Sequence, residues 1–447
     1  LQLIFPEKNF VKVKRQIKEK KFFYLEKNIS QDKYEKIMLL GDNSIKPSER
    51  LTRLYPQKNL FSHIIGQIDD ENKGISGIEK SFDQELKKIS EPLKLTVDTD
   101  IQFLIRKELL KYQEIFRSKG SAAILMNINN GEILSIVSLP DFNLNKRETI
   151  RDVNYINRVT KGVYELGSVF KTFTIAAALE AGLIEPETKL LNLKKKLTCG
   201  KNTINEYDNK IPSDLTVEEI LIKSGNIGSV RIGQMLEIEG LKSFLKKIGI
   251  LNKINFDIEE VGEPIPFRWG KCKLATASFG HGITTTPLQL AKGYAIISNG
   301  GFEITPTLIK NKLKKKKKRI IKENVSKKIN LILRKIVEEG TAKLANVRGY
   351  EIGGKTGTAN KTINGTYSKK YINTFASIFP ISNPKFVFVV LMEETQINKD
   401  YIYEYRDGSR FKLKGTPRNT AGWTSVEVAG KIIEKIGPIL ATKYIQN

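Results

Sequence analysis

Cysteine and histidine are scarce in this chain of 447 residues. The sequence holds two cysteines, Cys199 and Cys272, and two histidines, His63 and His281. Two cysteines exclude a scaffold built from disulfides and a cysteine-rich zinc module. Two imidazoles are too few for an ordinary multi-histidine metal site, although they leave room for a single catalytic histidine.

Long apolar runs are also absent. The strongest ones, Phe173–Leu183 and Phe386–Met392, have the length of core segments, whereas a membrane span needs ~18 consecutive apolar residues. The chain does not open with the charged, apolar and small-residue series of a signal peptide. Because residue 1 is Leu rather than Met, we expect a partial or processed chain whose full protein is longer at its N-terminus.

Acidic residues are outnumbered, with 49 Asp+Glu against 75 Lys+Arg and a formal net charge of +26. Such a charge suggests a nucleic-acid binder. Arginine, the residue suited to bidentate recognition of phosphates and bases, is however the minority of the basic residues. We therefore discount nucleic acid as a partner and attribute most lysines to compositional bias. The run Lys314–Arg319 is interpreted as a charged turn or strand edge, with attraction to an anionic polymer or lipid surface as the alternative.

Strand signals lie towards the two ends of the chain's larger part. SAAILMNINNGEILSIVSLP places two apolar strands around Asn130-Gly131, the strongest short signal for a β-hairpin. Further strands are predicted at Tyr350–Ala359, Thr374–Phe379 and Lys385–Met392. The stretch between them, about residues 160–300, has mainly helical patterns.

Two of these helices have clear boundaries. One follows Ser168 and ends near Gly182, and another opens with the capping-box pattern Thr216-x-x-Glu219. Strands at both ends and helices in the middle predict an α+β fold, in which a mainly antiparallel sheet is packed with helices and joined by a helical subdomain.

The first ninety or so residues differ from the rest in composition. They are polar and lysine-rich, and Gly66, Gly74 and Gly77 indicate turns. A segment that alternates at Leu95 and Val97 then leads into a helix with a clear apolar face. We place a domain boundary near residue 92, with a smaller mixed N-terminal module at residues 1–92 and the larger α+β domain at residues 93–447.

The segment Ser168-Val169-Phe170-Lys171 is the first candidate for catalysis. In a lysine-rich chain S-x-x-K arises by chance, and here it begins at Ser30, Ser168, Ser243, Ser382 and Ser409. Only Ser168 follows a glycine and opens a strongly apolar helix, where positions i and i+3 share a face. A serine at a helix start lies near free backbone N–H groups, which suits a reaction that creates an oxyanion. Apolar neighbours would desolvate Lys171 and lower its pKa, as a lysine general base requires.

Two further elements complete a pattern. Ser224-Gly225-Asn226 is the sole S-x-N and lies between two predicted helices, and Lys355-Thr356-Gly357-Thr358 holds the sole K-T-G on a predicted strand. Taken singly, an inter-helix turn and a strand end explain them better than catalysis does. Taken jointly, the order S-x-x-K, S-x-N, K-T-G is typical of serine penicillin-recognising enzymes. The rival Ser-His-Asp mechanism lacks its G-x-S-x-G elbow, since Phe170 stands where the second glycine would be.

With these motifs the chain resembles class B penicillin-binding proteins, the monofunctional D,D-transpeptidases of bacterial cell walls, and among them the cell-division type. The resemblance covers nearly the whole chain and is carried by YELGSVFKTFTIAAALEAG, SGN, ASFGHGITTTPLQLAKGYAIISNGG and GTAKLANVRGYEIGGKTGTAN. Departures are mild: Leu166 stands where the family often has Pro, and Val169 where Thr is common. The resemblance implies the penicillin-binding transpeptidase, or β-lactamase-like, fold, preceded by a non-catalytic pedestal module.

The resemblance also implies three catalytic residues. Ser168 Oγ would attack the carbonyl between two D-alanines of a stem peptide, and neutral Lys171 would accept its proton. Ser224 would relay a proton to the leaving amine. The backbone N–H groups of Ser168 and Thr358 would form the oxyanion hole. No metal or organic cofactor is needed.

The substrate-binding residues follow from the same resemblance. Asn226 would hold the substrate amide, and Lys355 would set the local electric field. Thr356, Gly357 and Thr358 line the strand edge, and the two threonine hydroxyls would bind the terminal carboxylate. The substrate would lie antiparallel to this strand as an added strand.

The implied partners are those of cell-wall synthesis. They are the D-Ala-D-Ala donor and an amine acceptor, β-lactams as inhibitors, and a glycan-polymerising membrane protein with division proteins. The implied location is the bacterial inner membrane, through an anchor absent from this chain, with the catalytic domain in the periplasm. Alternatives are an elongation-type transpeptidase, a D,D-carboxypeptidase, a β-lactam-hydrolysing or β-lactam-sensing relative, and a non-enzymatic wall-binding scaffold.

Three smaller features complete the expectations. Disulfides can persist in the periplasm, but we expect Cys199 and Cys272 to remain unpaired. His281 is predicted to be a turn or subdomain-contact residue rather than a catalyst. The alternating tyrosines of Tyr401–Tyr405 fit one face of a strand or loop as well as they fit a wall for the glycan or acceptor.

Overall fold

The structure is a computed structural model that describes residues 1–26, 29–49, 53–88, 91–146, 155–200, 202–310, 318–363 and 365–445. Its contacts divide the chain into two compact units, Leu1–Pro56 and Gln57–Asn447. This division falls well before the boundary expected near residue 92. The assignment of residues 1–92 to a pedestal module concerns function as well as packing and stays a prediction. Most of the run Lys314–Arg319 lies outside the described residues.

The first unit is built on two helices, α1 (Phe10–Glu19) and α2 (Gln31–Met38). Each helix is preceded by a polar residue, Asn9 or Ser30, whose side chain accepts hydrogen bonds from otherwise free backbone N–H groups. Phe5 is fully buried, and Lys33 Nζ lies 4.8 Å from the centroid of its ring.

Residues 57–88 pack as part of the second unit. They form the short helices α3 (Ser62–Ile65), α4 (Gly77–Ser81) and α5 (Asp83–Lys88). The backbone N–H of Gly77 donates to Glu260 Oε1 at 3.0 Å, and Lys80 forms a 2.8 Å ion pair with Glu259. A polar, glycine-rich composition therefore does not separate this stretch from the part that carries the motifs.

The strands of the second unit are β1 (Gly120–Asn127), β2 (Ile133–Leu139), β3 (Lys189–Leu190), β4 (Lys196–Cys199), β5 (Asn202–Asn205), β6 (Leu215–Thr216), β7 (Gly353–Ile363), β8 (Thr366–Phe379), β9 (Phe386–Glu393), β10 (Ile402–Glu404) and β11 (Lys412–Lys414). Five of them form the main sheet in the order β2-β1-β9-β8-β7, with every neighbouring pair antiparallel. The hairpin predicted around Asn130-Gly131 and the three late strands are confirmed. Strand β7 lies at an edge of the sheet.

The remaining helices are α6 (Thr99–Ile115), α7 (Lys171–Glu180), α8 (Val217–Ile222), α9 (Asn226–Lys247), α10 (Lys271–Ala277), α11 (Pro287–Ser298), α12 (Glu323–Glu338) and α13 (Ser425–Leu440), with 3-10 turns at Gly167–Phe170, Lys343–Ala345 and Ala421–Trp423 and a π-helical turn at Ala441–Ile445. Strand β9 is buried along its whole length. Since successive side chains of a strand point to opposite faces, both faces of the sheet must be covered. The contacting helix pairs α6–α13 and α11–α12 pack against it.

The helical part, α7 to α10, lies between β2 and β7 in the sequence. The capping box predicted at its second helix is present: the Thr216 hydroxyl accepts from the backbone N–H of Glu219, and the Glu219 carboxylate accepts from that of Thr216. The expected α+β class, an antiparallel sheet packed with helices and joined by a helical part, is confirmed. Within the described ranges, no helix combines the length and apolarity that a membrane crossing requires.

The expectation that the two cysteines remain unpaired is wrong. Cys199 and Cys272 form a disulfide, with Cα atoms 5.4 Å apart. Cys199 ends strand β4, and Cys272 lies in the first turn of α10. Their separation in sequence says nothing about distance, because the β4–β5 hairpin folds back onto α10.

Candidate active site

Ser168 lies in the 3-10 turn that precedes α7. The backbone before it runs against edge strand β7: a Cβ at Gly167 would lie 2.9 Å from Thr358 O, and one at Gly357 would lie 2.1 Å from Leu166 O. Gly167 also has a φ of +64°, which L side chains rarely adopt. The two glycines therefore allow the serine-bearing turn and the strand edge to approach each other closely.

Lys171, at the start of α7 one turn after Ser168, is fully buried. Its Nζ donates to Asn226 Oδ1 at 2.7 Å, to Ser224 Oγ at 3.2 Å and to the carbonyl oxygen of Ser224. Among the described residues no hydrogen bond joins Lys171 Nζ to Ser168 Oγ. Catalytic hydrogen bonds often tighten only when substrate is bound.

Burial lowers the pKa of Lys171 to about 7, and the charge of Glu206 opposes this shift. Removing water from an ammonium group disfavours its charged form, and this is the effect expected from the apolar neighbours of Lys171. Close to neutral pH the amine is therefore present in substantial amounts as a free base.

Lys355 also binds the hydroxyl group of Ser224, from the side of the sheet. It lies on β7, is fully buried, and donates to Ser224 Oγ at 2.8 Å and to Thr356 O at 3.1 Å. Burial, followed by repulsion from Lys171, lowers its pKa well below the ordinary value for lysine. The two lysines thus hold Ser224 between the helical part and the sheet.

The Ser224-Gly225-Asn226 element forms the turn between α8 and α9. Ser224 has a φ of +58°, a left-handed conformation that costs a non-glycine residue on the order of 1 kcal/mol. Residues at and just after the end of β5 bind this turn. Glu206 accepts hydrogen bonds from the backbone N–H groups of Asn226 at 2.7 Å and Ile227 at 2.8 Å, and Asn226 Nδ2 donates to Asn205 O at 2.9 Å.

The two threonines of the third motif have specific partners. The hydroxyl groups of Thr356 and Thr341 share a hydrogen bond of 2.7 Å. Thr358 Oγ1 accepts from the backbone N–H of Ala421 at 2.9 Å. Because that bond uses a lone pair of Thr358, its hydroxyl proton can be directed to another acceptor.

The structure therefore places the predicted site residues in one region. Direct hydrogen bonds join Lys171, Ser224, Asn226 and Lys355, and the backbone contacts at Gly167 and Gly357 bring Ser168, Thr356 and Thr358 beside them. The sequence interpretation missed Glu206, Thr341 and Ala421. Glu206 and Ala421 lie outside the quoted family segments, and no sequence signal identifies them. Thr341 lies within GTAKLANVRGYEIGGKTGTAN, but nothing in that segment indicates its contact with Thr356.

The segment that contains these site residues also identifies the protein family. Residues 121–409 match the family model described as the penicillin binding protein transpeptidase domain. The chain belongs to this family. The match includes all three motifs of this penicillin-binding transpeptidase, and the predicted family is confirmed.

Two curated relatives of this penicillin-binding transpeptidase illustrate the likeness. The probable peptidoglycan D,D-transpeptidase FtsI of Caulobacter vibrioides is 29% identical, over 93% of this chain and 71% of its own length. The stage V sporulation protein D of Bacillus subtilis is 31% identical, over 82% of this chain, and the chain spans 64% of it.

Solved structures show the same fold. Penicillin binding protein 3 of Mycobacterium tuberculosis superposes with a TM-score of 0.74 at 23% identity, over 86% of this chain and 91% of that one. That protein has also been solved complexed with aztreonam and with ampicillin. At this identity the likeness concerns the fold.

His281 lies beside Glu165, which is three residues before Ser168 in the sequence. It stacks on Tyr367 with ring centroids 4.6 Å apart, and its Nδ1 lies 3.6 Å from Glu165 Oε2. Tyr367 Oη donates to Glu165 Oε1 at 2.9 Å, and the backbone N–H of Gly282 donates to Oε2 of the same carboxylate. His281 thus contacts Tyr367 and Glu165, and its exclusion from catalysis stays a prediction.

Two of the three alternating tyrosines, Tyr401 and Tyr403, pack into the protein. Tyr403 is fully buried, and Tyr401 donates to Glu427 Oε1 at 2.7 Å within a cluster that includes Tyr112. The ion pair of Arg406 and Glu427, at 2.7 Å, is buried with them. Tyr401 and Tyr403 therefore serve packing. Tyr405 is half-buried, and its part in a wall for glycan or acceptor stays a prediction.

Proposed function

We propose that this chain is a peptidoglycan D,D-transpeptidase that cross-links stem peptides with release of D-Ala, in septal wall synthesis during cell division. One observation carries the proposal: two fully buried lysines converge on Ser224 Oγ beside the serine-bearing turn. The relative named FtsI supports the choice of reaction and of the division role.

Acylation begins at Ser168. Its Oγ attacks the carbonyl carbon between the two D-alanines, and neutral Lys171 accepts the proton. The C–N bond then breaks, and the D-Ala amine leaves with a proton relayed through Ser224. The pKa of Lys171, about 7, supports this role, and the 3.2 Å contact of its Nζ with Ser224 Oγ provides the path for the proton. Lys355 holds the other side of Ser224 and sets the local field.

The oxyanion forms between the turn and the strand edge. The backbone N–H groups of Ser168 and Thr358 donate to it, which the close contact of Gly167 with β7 supports. The stem peptide adds as a strand along the edge of β7 next to Gly357. Asn226 then binds its amide.

The terminal carboxylate of the donor binds at the two threonines. Thr358 Oγ1 accepts from Ala421 N–H and thereby directs its proton to the carboxylate. Thr356, whose hydroxyl is held by Thr341, supplies the second hydroxyl. Hydrogen bonds from two hydroxyl groups to a carboxylate are charge-assisted, and this supports a donor that ends in D-Ala-D-Ala.

Two kinds of acyl-enzyme form at Ser168, one from the stem peptide and one from β-lactams. An amine of a neighbouring stem peptide attacks the ester carbonyl, forms the cross-link and returns the proton to Ser168 Oγ. β-Lactams mimic the D-Ala-D-Ala terminus, acylate Ser168 and leave slowly. The aztreonam and ampicillin complexes of the Mycobacterium tuberculosis protein support β-lactam binding by this fold.

The location is inferred from the reaction and from the disulfide. Peptidoglycan cross-linking takes place outside the cytoplasmic membrane, and the Cys199–Cys272 disulfide fits an oxidising compartment such as the periplasm. We infer a catalytic domain in the periplasm, tethered to the inner membrane. Residues 1–92 would act as the pedestal that contacts a glycan-polymerising membrane protein and division proteins.

Intact-mass measurement after incubation with penicillin tests the assignment of the nucleophile. We expect one penicilloyl adduct on the native protein and none on Ser168→Ala. Ser382→Ala is the matched control, since Ser382 also begins an S-x-x-K segment but is exposed, and it should keep the adduct. An undiminished adduct on Ser168→Ala would defeat the assignment.

A second measurement separates transpeptidation from hydrolysis. The protein is incubated with a stem pentapeptide donor and an amine acceptor, and released D-Ala is compared with cross-linked dimer. We expect dimer to form and the penicilloyl adduct to be long-lived. Rapid hydrolytic turnover of penicillin, or D-Ala release without dimer, would favour a β-lactamase or a carboxypeptidase instead.

A further inference from the structure

The segment Asn205–Tyr207, which begins at the last residue of β5, contacts the Ser224 turn and the start of α9 at four points. Asn205 O accepts from Asn226 Nδ2 at 2.9 Å, and Tyr207 Oη donates to the carbonyl oxygen of Lys223 at 2.9 Å. The other two contacts belong to one carboxylate. Glu206 Oε2 accepts from Asn226 N at 2.7 Å, and its Oε1 accepts from Ile227 N at 2.8 Å.

The Glu206 carboxylate therefore occupies the N-terminal end of α9, whose helical backbone is interrupted further along at Glu237, where φ is 58°. The first backbone N–H groups of a helix have no partner within it, and the partial positive charge there favours an anion. Both oxygens of Glu206 are used, so the carboxylate fixes the direction in which α9 starts. Asn226 is the first residue of that helix, and its Oδ1 accepts from Lys171 Nζ at 2.7 Å.

Charge reinforces this geometry. Burial lowers the pKa of Lys171, and the charge of Glu206 opposes this by attracting the ammonium form. Lys171 in turn repels the ammonium form of Lys355 on β7. The α8–α9 turn supplies only the uncharged oxygens of Ser224 and Asn226. Loss of the negative charge at residue 206 would favour the neutral amine and lower the pKa of Lys171 further.

We propose that Glu206 is a positioning residue for the reaction, whose carboxylate binds the first two backbone N–H groups of α9 and so holds Asn226 and Ser224 against Lys171. The inference rests on the proposed function, because it concerns the general base of acylation. It assigns Glu206 no contact with substrate. It also gives the β4–β5 hairpin a part in catalysis, as the element that carries this carboxylate.

The test measures the rate constant of acylation by a fluorescent penicillin as a function of pH. In the native protein the rate should rise with pH through the pKa of Lys171, about 7, because the neutral amine is the base. In Glu206→Gln one backbone N–H loses its acceptor, so we expect the plateau to fall roughly tenfold, the loss typical of a hydrogen bond to a charged group. The rise of the acylation rate should also move to lower pH, because the negative charge of Glu206 no longer stabilises the ammonium form of Lys171.

Two further variants separate positioning from folding. Glu206→Asp keeps the charge but shortens the reach, so the plateau should fall while the rise stays near its native pH. Asp208→Asn makes the same charge change two residues away, where the carboxylate contacts Lys210 and Arg418 instead of α9. It should keep the native plateau and the native rise.

The outcomes are distinct from those that test the nucleophile. A native plateau in Glu206→Gln and Glu206→Asp, or a reduced plateau with an unmoved rise in Glu206→Gln, would overturn the positioning role. If Glu206→Gln does not fold, an undiminished acylation plateau in Glu206→Asp would by itself overturn the positioning role. Absence of any acylation in the native protein would instead defeat the proposed function.

Discussion

Lys171 and Lys355 donate to one hydroxyl oxygen, that of Ser224, at 3.2 and 2.8 Å. Both side chains are fully buried, and in the described part of the chain no carboxylate lies within hydrogen-bond distance of either amine. Two ammonium groups this close, removed from water, repel each other. The arrangement therefore favours a free amine at the price of stability.

The first prediction concerns that loss of stability. The pKa of Lys171 is about 7 in the folded protein against an ordinary value of 10.5 for lysine, so between these pH values the unfolded chain binds more protons. The contribution of Lys171 to folding is then unfavourable in full below about pH 7 and fades as pH rises towards 10.5. Lys171→Met should raise the free energy of unfolding at neutral pH by on the order of 2 kcal/mol, and the gain should shrink at high pH.

Urea unfolding at a series of pH values measures this difference. Lys246→Met is the control, because Lys246 is an exposed lysine on α9, and its effect should be small at every pH. A Lys171→Met effect that does not change with pH would contradict the assigned protonation. The Lys171→Met variant should also lose acylation by penicillin. Lys171 would then lower the stability of the protein while being required for its reaction.

Local signals explain what the sequence could predict. The hairpin at Asn130-Gly131 and the capping box at Thr216 depend on neighbours within a few residues, so both are visible in the sequence. The three catalytic motifs are visible for a different reason: their residue types and order are unusual enough in combination to indicate the family.

Features that depend on contacts between distant segments could not be predicted from the sequence. Glu206, the disulfide partner of Cys199 and the inward direction of Tyr403 all depend on how separate elements pack. Composition also gives no sign that Gly77 and Lys80, in the polar stretch before residue 92, bind Glu260 and Glu259. The assignment of residues 1–92 to a pedestal module stays a prediction. The composition of a segment predicts its solvent exposure better than it predicts which other segments it contacts.

The second prediction concerns the close approach at Gly357. A Cβ there would lie 2.1 Å from Leu166 O and 3.1 Å from Val169 Cγ1, and a backbone oxygen cannot move aside as a flexible side chain can. Gly357→Ala should cost about 1–3 kcal/mol of stability and displace the serine-bearing turn. Thermal unfolding and penicillin acylation should both report the loss. Gly270→Ala, at an extended residue with nothing within 4 Å, should leave both unchanged; equal effects of the two variants would contradict the steric argument.

The third prediction concerns the hydroxyl of Thr358. Thr358→Val removes the acceptor of Ala421 N–H and the donor proposed for the substrate carboxylate, with little change of volume. Acylation by penicillin should fall by roughly tenfold or more. Thr358→Ser keeps the hydroxyl and should stay within a few-fold of the native rate. Retention of the native rate in Thr358→Val would exclude this hydroxyl from carboxylate binding.

The fourth prediction concerns the disulfide that ties the β4–β5 hairpin to α10. Cys199 and Cys272 are 73 residues apart, and closing a loop of this size restricts the unfolded chain, which typically stabilises a protein by about 2–4 kcal/mol. The double variant Cys199→Ser, Cys272→Ser should lose stability of this order in urea unfolding. A thiol reductant should lower the stability of the native protein to a similar level and leave the double variant unaffected. Because the hairpin also carries Asn205, which accepts from Asn226, acylation should slow in the double variant as well; an unchanged unfolding curve after verified reduction would show that packing alone holds the hairpin in place.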